Sequence, residues 1–292
     1  MLKIGITSRA LFDLDSCHSI YEKFGLDAYK DYQISNENNP LNPGQAFPLV
    51  KKLLKLNDKF AGEKLVEVIL LSRNTADTGL RIFNSIRCHG LDITKAAFCG
   101  GESPHLYAKS FGAHLFLSAD LEDCKSSINQ GIASARIMAS KKNNDQGEIL
   151  KVAFDGDSVI FSEDSQRIFD QHGLKVFNQN ESEHADKPLS GGPFKSFLHE
   201  LFKVQQSFPK KECPIRIALV TARSAPSHER VIKTLRDWKI RIDESLFLGG
   251  LDKTNFLKDF GADIFFDDQI ENCKAACLEV PTGQVINFNS RY

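Results

Sequence analysis

Short apolar runs alternate along this chain with longer amphipathic stretches, and the alternation predicts its elements. In the second half, strands are expected at Lys151–Asp155, Ile215–Thr221, Ser245–Leu248 and Ile264–Asp267. Helical spacing of apolar residues marks roughly Ser227–Lys239 and Lys253–Phe260 between them. A last strand is expected at Gln284–Asn287. Strands separated by helices predict an α/β fold, a parallel sheet with helices on both faces.

The pattern occurs twice. Phe98–Lys125 and Phe247–Lys274 align without gaps at an offset of 149, with 11 of 28 positions identical. Ordinary composition would give roughly two. Leu70–Asn74 matches Leu219–Arg223 at the same offset, and Lys3–Arg9 matches Lys151–Asp157 at 148. The expectation is two tandem Rossmann-like halves. The polar, turn-rich stretch Ala139–Glu148 is the candidate linker. It sets boundaries of 1–140 for the first half, 141–149 for the linker and 150–292 for the second half.

Composition narrows the function classes. The 292 residues carry a net charge of −1, which gives no bulk electrostatic reason to bind nucleic acid or an anionic membrane. No apolar run reaches the ~18–20 residues of a spanning helix, and the broken apolar start MLKIGITSRALF lacks a signal-peptide layout. The seven cysteines are odd in number and scattered, without a CxxC pair, which reads as buried thiols in a reducing compartment. Cys273 and Cys277 read as core thiols, and no His or Cys cluster suggests zinc. A cytoplasmic protein is expected.

The candidate chemistry lies in KVAFDGDSVIFSED, Lys151–Asp164. An apolar run ends in Asp155, and Asp157 follows two residues later. In an open parallel sheet, ligands bind at the carboxyl ends of the strands. Asp155, Thr221 and Asp267–Asp268 all fall at such ends, and Lys253 begins the next helix. A carboxylate can attack phosphorus to form an aspartyl-phosphate. Approach to an anionic phosphate then needs a cation, and Mg²⁺ takes oxygen ligands. Asp155 and either Asp267 or Asp268 fit as its ligands. Asp157 is placed for general acid/base work, Thr221 for a hydrogen bond to a phosphate oxygen, and Lys253 to neutralise another. Gly156 suits a backbone turning sharply beside a ligand.

These motifs resemble those of the haloacid dehalogenase superfamily of phosphatases: DxD on the first strand, Thr or Ser on the second, a Lys, then paired acids. FDGDSVIFSED, KPLSGGPFKSFL (Lys187–Leu198), LVTARSAPSHERVIKTLRDW (Leu219–Trp238) and IFFDDQ (Ile264–Gln269) resemble more closely the cytosolic 5′-nucleotidase type I family, as do ITSRALF (Ile6–Phe12) and NENNPLNPGQAF (Asn36–Phe47). The resemblance implies Mg²⁺-dependent hydrolysis of nucleoside 5′-monophosphates, with Asp155 as nucleophile and Asp157 as acid/base. Its implied metal ligands are Asp155, the Asp157 backbone carbonyl and Asp268, with Asp267 in support. It also implies a cap insertion at about 165–212, and it leaves a homo-oligomer open. Substrate contacts are expected from Gly156, Ala222, Arg223, Lys187, Asn36, Asn38, Asn39 and Arg9. The alternatives are a phosphatase for sugar phosphates or other small metabolites, and a non-catalytic nucleotide-binding protein.

The first half reads as a degenerate copy. FDLDS at Phe12–Ser16 mimics FDGDS, but the repeat aligns Thr7 with Asp155 and Arg9 with Asp157. Asp13 and Asp15 then lie past the strand end as loop or cap residues. Pro104 stands at the position of Lys253, and Ser118–Ala119 at that of Asp267–Asp268. A role for this half as lid and specificity element is expected. Gly191 and Gly192 are expected to let backbone approach the substrate.

Overall fold

The computed structural model describes residues 1–140 and 147–286. Most of the expected linker, and Asn287 of the expected last strand, lie outside them. The chain divides into two compact units, Met1–Ile137 and Met138–Tyr292.

The first unit has strands β1 (Leu2–Ile6), β2 (Val66–Ser72), β3 (Lys95–Phe98), β4 (Leu115–Ser118) and β5 (Ala133–Ile137). Its helices are α1 (Ser8–Leu11), α2 (Asp15–Ser35), α3 (Phe47–Asp58), α4 (Ala76–Cys88), α5 (His105–Ser110) and α6 (Leu121–Asn129). The sheet is parallel throughout, in the order β3-β2-β1-β4-β5.

The second unit has β6 (Leu150–Phe154), β7 (Ile215–Thr221), β8 (Glu244–Phe247), β9 (Ile264–Asp267) and β10 (Thr282–Val285). Its helices are α7 (Asp164–Glu183), α8 (Lys195–Gln206), α9 (His228–Asp237), α10 (Thr254–Phe260) and α11 (Ile270–Ala276). This sheet is also parallel, in the order β8-β7-β6-β9-β10. The strand expected at Gln284–Asn287 starts two residues earlier, at Thr282, where pairing with Phe265 begins. β6 and β8 end one residue before their expected ends: Asp155 and Leu248 each donate one more ladder hydrogen bond, to Phe266 O and Thr221 O, and the chain then enters turns.

Residues buried on both faces give β6 and β9 their near-continuous apolar sequence, as a covered parallel sheet requires. One face packs Ala153, Ala218, Val220 and Phe265 against Leu257 and Phe260 of α10. The other stacks Phe154, Phe194, Phe197 and Phe266, with the Phe194 and Phe266 rings 4.8 Å apart. Phe197, Leu198, Leu201 and Val204 of α8 are buried. α8 is therefore the crossover helix that a parallel β6–β7 pair needs, and it occupies part of the segment expected as a cap. The first part of that segment is α7, which breaks at Gly173 (φ 75°, ψ 177°). α2 breaks the same way at Gly25 (φ 83°, ψ −172°), 148 residues earlier.

Strand order reverses at β6, between neighbours β7 and β9, and this is where an open α/β sheet forms its crevice. Asp155 follows the last residue of β6 and Asp267 ends β9.

Candidate active site

The backbone N–H of Asp155 donates to Phe266 O at 2.8 Å, which continues the β6–β9 ladder by one bond. The chain then enters an irregular turn, Gly156–Ile160, in which Ser158 has φ 64°. At the equivalent point the first unit makes the regular α1, one residue shorter. That added residue shifts the repeat offset from 148 at Thr7–Asp155 to 149 at Phe12–Phe161. Gly156 packs closely: a Cβ there would lie 3.2 Å from Thr221 Oγ1, which would have to give by a few tenths of an ångström. Gly192 is required, since its Cβ would meet Phe161 O at 2.3 Å and Val159 O at 2.5 Å. The close approach made by Gly192 is therefore to this turn, which it braces through Gly192 N–H to Ile160 O at 2.8 Å.

Lys253 bridges the two strand ends, with Nζ 2.9 Å from Asp155 Oδ1 and 2.7 Å from Asp267 Oδ2. All three side chains are nearly inaccessible. Gly156 N–H also donates to Asp155 Oδ1, at 2.7 Å. Asp267 Oδ1 accepts from Gln269 N–H at 2.8 Å, and Asn272 Nδ2 donates to Asp267 Oδ2 at 3.1 Å. Carboxylate oxygens of Asp155, Asp267 and Asp268 lie within 4.8 Å of one another. It is an oxygen-only donor set with no His or Cys, and it suits a hard cation such as Mg²⁺ rather than zinc.

The electrostatics match three carboxylates against one ammonium. Burial, followed by the charges of Asp155 and Asp267, pushes Asp268 up to about 8. Burial also pushes Asp155 up, against the opposing pull of Lys253. Lys253 is raised too: burial opposes its charge, but Asp155 and Asp267 together outweigh that. Raised carboxyl groups have a sign consequence. Unfolded, they titrate near 3.8; folded, Asp268 holds its proton to about 8. The associated stability is complete below the unfolded value and is lost as pH rises through the folded one. In excess EDTA the melting temperature is therefore expected to fall between pH 6 and pH 8.5, and Mg²⁺ at pH 8.5 is expected to restore it. A melting temperature that stays flat or rises in EDTA contradicts this.

Asp157 meets a different partner. Arg223 grips it in a fork, Nε to Oδ2 at 2.8 Å and Nη2 to Oδ1 at 2.7 Å. Arg223 is buried and continues to Glu181 of α7, which also binds Arg230 of α9 at 2.9 Å and Ser165 at 3.0 Å. Burial works against the Arg223 charge, yet Asp157 and Glu181 raise its pKa overall. The structure thus uses Arg223 as an ion-pair partner of Asp157. Glu181 and Arg230 were not singled out in the sequence. The signal was there: Gln33 and Arg81, at offsets 148 and 149, make the same contact in the first unit at 3.0 Å.

The remaining expected contacts are spread out. Ala222 is exposed just past Thr221, whose Oγ1 accepts from Arg223 N–H at 3.3 Å. The Lys187 side chain is exposed, while its carbonyl accepts from Arg230 Nε. Asn36 and Asn39 bond within their own turn, Asn36 Nδ2 to Tyr32 O and Asn39 Nδ2 to Asn36 Oδ1, and Asn38 is exposed. Arg9 lies 3.4 Å from Asp15, both exposed. Asp13 Oδ1 accepts from Asp15 N–H in the loop before α2. Cys273 and Cys277 are buried free thiols. Among the described residues, no helix is long and apolar enough to cross a membrane.

A family model described as 5′-nucleotidase matches residues 1–291. The chain belongs to the 5′-nucleotidase family. Within that family it is 41% identical over 286 residues to human cytosolic 5′-nucleotidase 1B, covering 94% of this chain and 47% of that protein. The chain thus spans about half the length of the curated relative it matches. A likeness to histidinol dehydrogenase from Elizabethkingia anophelis, at 9% identity and a TM-score of 0.25 over 98% of this chain and 81% of that one, carries no argument about this 5′-nucleotidase-family fold.

Proposed function

We propose that the chain is a Mg²⁺-dependent 5′-nucleotidase that converts nucleoside 5′-monophosphates to nucleoside and phosphate, acting in the cytosol. The observation that carries this reading is the buried Asp155–Lys253–Asp267 bridge beside Asp268, at the reversal of strand order. Family membership supports the substrate class. In this reading the second unit is the catalytic haloacid-dehalogenase-type half, the first its degenerate copy, and α7 the cap.

Asp155, Asp268 and the Asp157 backbone carbonyl would hold Mg²⁺, with Asp267 in support. The ion would supply the positive charge that lets a carboxylate and a phosphate approach. Lys253 and Gly156 N–H both hold Asp155 Oδ1, which leaves Oδ2 for attack on phosphorus. The P–O bond to the nucleoside breaks as the aspartyl-phosphate forms. Asp157 protonates the departing 5′-oxygen and later takes a proton from the water that hydrolyses the intermediate. Both Asp157 oxygens are engaged by Arg223, so each proton transfer requires one oxygen to leave the fork. Glu181 keeps Arg223 neutralised when that happens. Thr221 hydrogen-bonds a phosphate oxygen.

Initial rates of phosphate release from nucleoside 5′-monophosphates and sugar phosphates, with Mg²⁺ and with EDTA, test the reading. Nucleotides are expected to lead the panel, with activity lost in EDTA and regained with Mg²⁺. A preference for sugar phosphates moves the assignment to the general phosphatase, and release that EDTA leaves intact overturns it.

A further inference from the structure

The Glu181 carboxylate on α7 is fully covered, yet it takes no part in the Asp155–Lys253–Asp267 bridge. Glutamate is almost never buried this far unless it is paired. Here it is the third member of an alternating row of charges: Asp157, Arg223, Glu181, Arg230. Arg223 turns Nε and Nη2 to Asp157 and Nη1 to Glu181. The ring of Phe177, one turn earlier on α7, lies 5.2 Å from the same guanidinium. α7 therefore meets the partner of Asp157 twice.

The simplest task for Glu181 is to fasten α7 to α9, and the first unit shows that this task needs no charge. Gln33, at the position of Glu181, accepts from Arg81 Nη1 at 3.0 Å. Cys17, at the position of Ser165, lies 3.7 Å from the same nitrogen. The two units differ on the other side of this contact. Arg223 corresponds to Asn74, which accepts from the Tyr29 hydroxyl at 2.7 Å, and Asp157 corresponds to Arg9. An amide thus stands where the acid/base carboxylate and its arginine are missing, and a carboxylate stands where both are present. The charge has a use there. In the proposed reaction one Asp157 oxygen leaves the fork, and burial opposes the charge of Arg223. With Glu181 ionised, Arg223 stays paired while that oxygen departs. With a neutral side chain in its place, opening the fork would leave a buried cation uncompensated.

We propose that Glu181 is a positioning residue for the reaction: from α7 it holds the far side of Arg223, and so sets how readily Asp157 frees an oxygen for proton transfer. The inference rests on the acid/base role read for Asp157.

The test compares Mg²⁺-dependent phosphate release from a nucleoside 5′-monophosphate by the unaltered chain, Glu181→Gln, Glu181→Asp, Asp157→Asn and the double variant Asp157→Asn/Glu181→Gln. Glu181→Gln keeps the shape of the side chain and the hydrogen bond that Gln33 makes. It is expected to lower kcat about 30-fold or more and to change KM less than about threefold. Glu181→Asp keeps the charge but draws it back by one methylene, and is expected to lower kcat only about three- to tenfold. A fastening role predicts the opposite order, since Gln is the closer match in shape. In the Asp157→Asn chain, adding Glu181→Gln is expected to cost less than about twofold, because its effect passes through Asp157. A slower Asp variant than Gln variant, a loss carried by KM, or an undiminished penalty in the Asp157→Asn chain overturns the proposal. If circular dichroism shows that Glu181→Gln does not fold, Glu181→Asp decides alone: an unaltered kcat, or a loss carried by KM, overturns it. The failures are distinguishable. An unaltered chain that releases no phosphate overturns the proposed reaction and this role with it. Undiminished rates in Asp157→Asn overturn the acid/base reading and this role with it. Variants in the wrong order, in a chain that hydrolyses through Asp157, overturn this role only.

Discussion

Asp155→Asn is expected to lower phosphate release from a nucleoside 5′-monophosphate by at least about 10⁴-fold, the scale on which loss of a nucleophile registers. The substitution keeps the shape of a side chain buried beside Phe266 and Gly156. Its carboxamide oxygen can still accept from Gly156 N–H and Lys253. The fold and its melting temperature should therefore change little, and circular dichroism separates loss of chemistry from loss of structure. Retention of wild-type rates would remove Asp155 from the mechanism.

Lys253→Met is expected to harm both activity and stability. Its ammonium is the cation joining the ends of β6 and β9, and both carboxylates it contacts are buried. Removing one partner of a buried pair costs about 3–5 kcal/mol, because the remaining charge stays uncompensated. For a unit of this size that corresponds to a drop on the order of 10 °C in melting temperature. Loss of a positioned charge in the site adds a fall in kcat of about 10²–10³-fold. Mg²⁺ should recover part of the melting temperature, since it restores positive charge beside Asp155 and Asp268, but not the rate. A variant with unchanged stability in EDTA would mean that Lys253 does not hold the two strand ends together.

The carboxylate cluster was legible because each member sits at a fixed grammatical place: an apolar strand, then an acid. Asp155, Asp267 and Asp268 needed only the rule that parallel strands deliver their carboxyl ends to one edge. The repeat supplied what composition could not, by showing that Asp13 and Asp15 lie outside the equivalent strand. Other parts were hidden for physical reasons. β5, Ala133–Ile137, alternates small and polar residues too briefly to stand out as a strand. α8 lay within a segment expected as a cap, although its apolar face marks it as a crossover helix. Glu181 is a buried acid on a polar helix, and nothing local announces burial. Its partners are far apart in sequence, and the clue was long-range, in the paired offsets of Gln33 and Arg81. Arg223 was legible as a neighbour of Thr221, but not as the partner of Asp157, because the turn at Ser158 sets that approach.

The central claim, phosphoryl transfer through Asp155, is tested most directly by acid-quenching the chain during turnover of a nucleoside 5′-monophosphate with Mg²⁺ and locating any protein-bound phosphate by peptide mass spectrometry. A hydroxylamine-labile phosphate on Asp155, absent from the Asp155→Asn variant, is the expected result. A phosphate on any other residue, or the same labelling in Asp155→Asn, would contradict it.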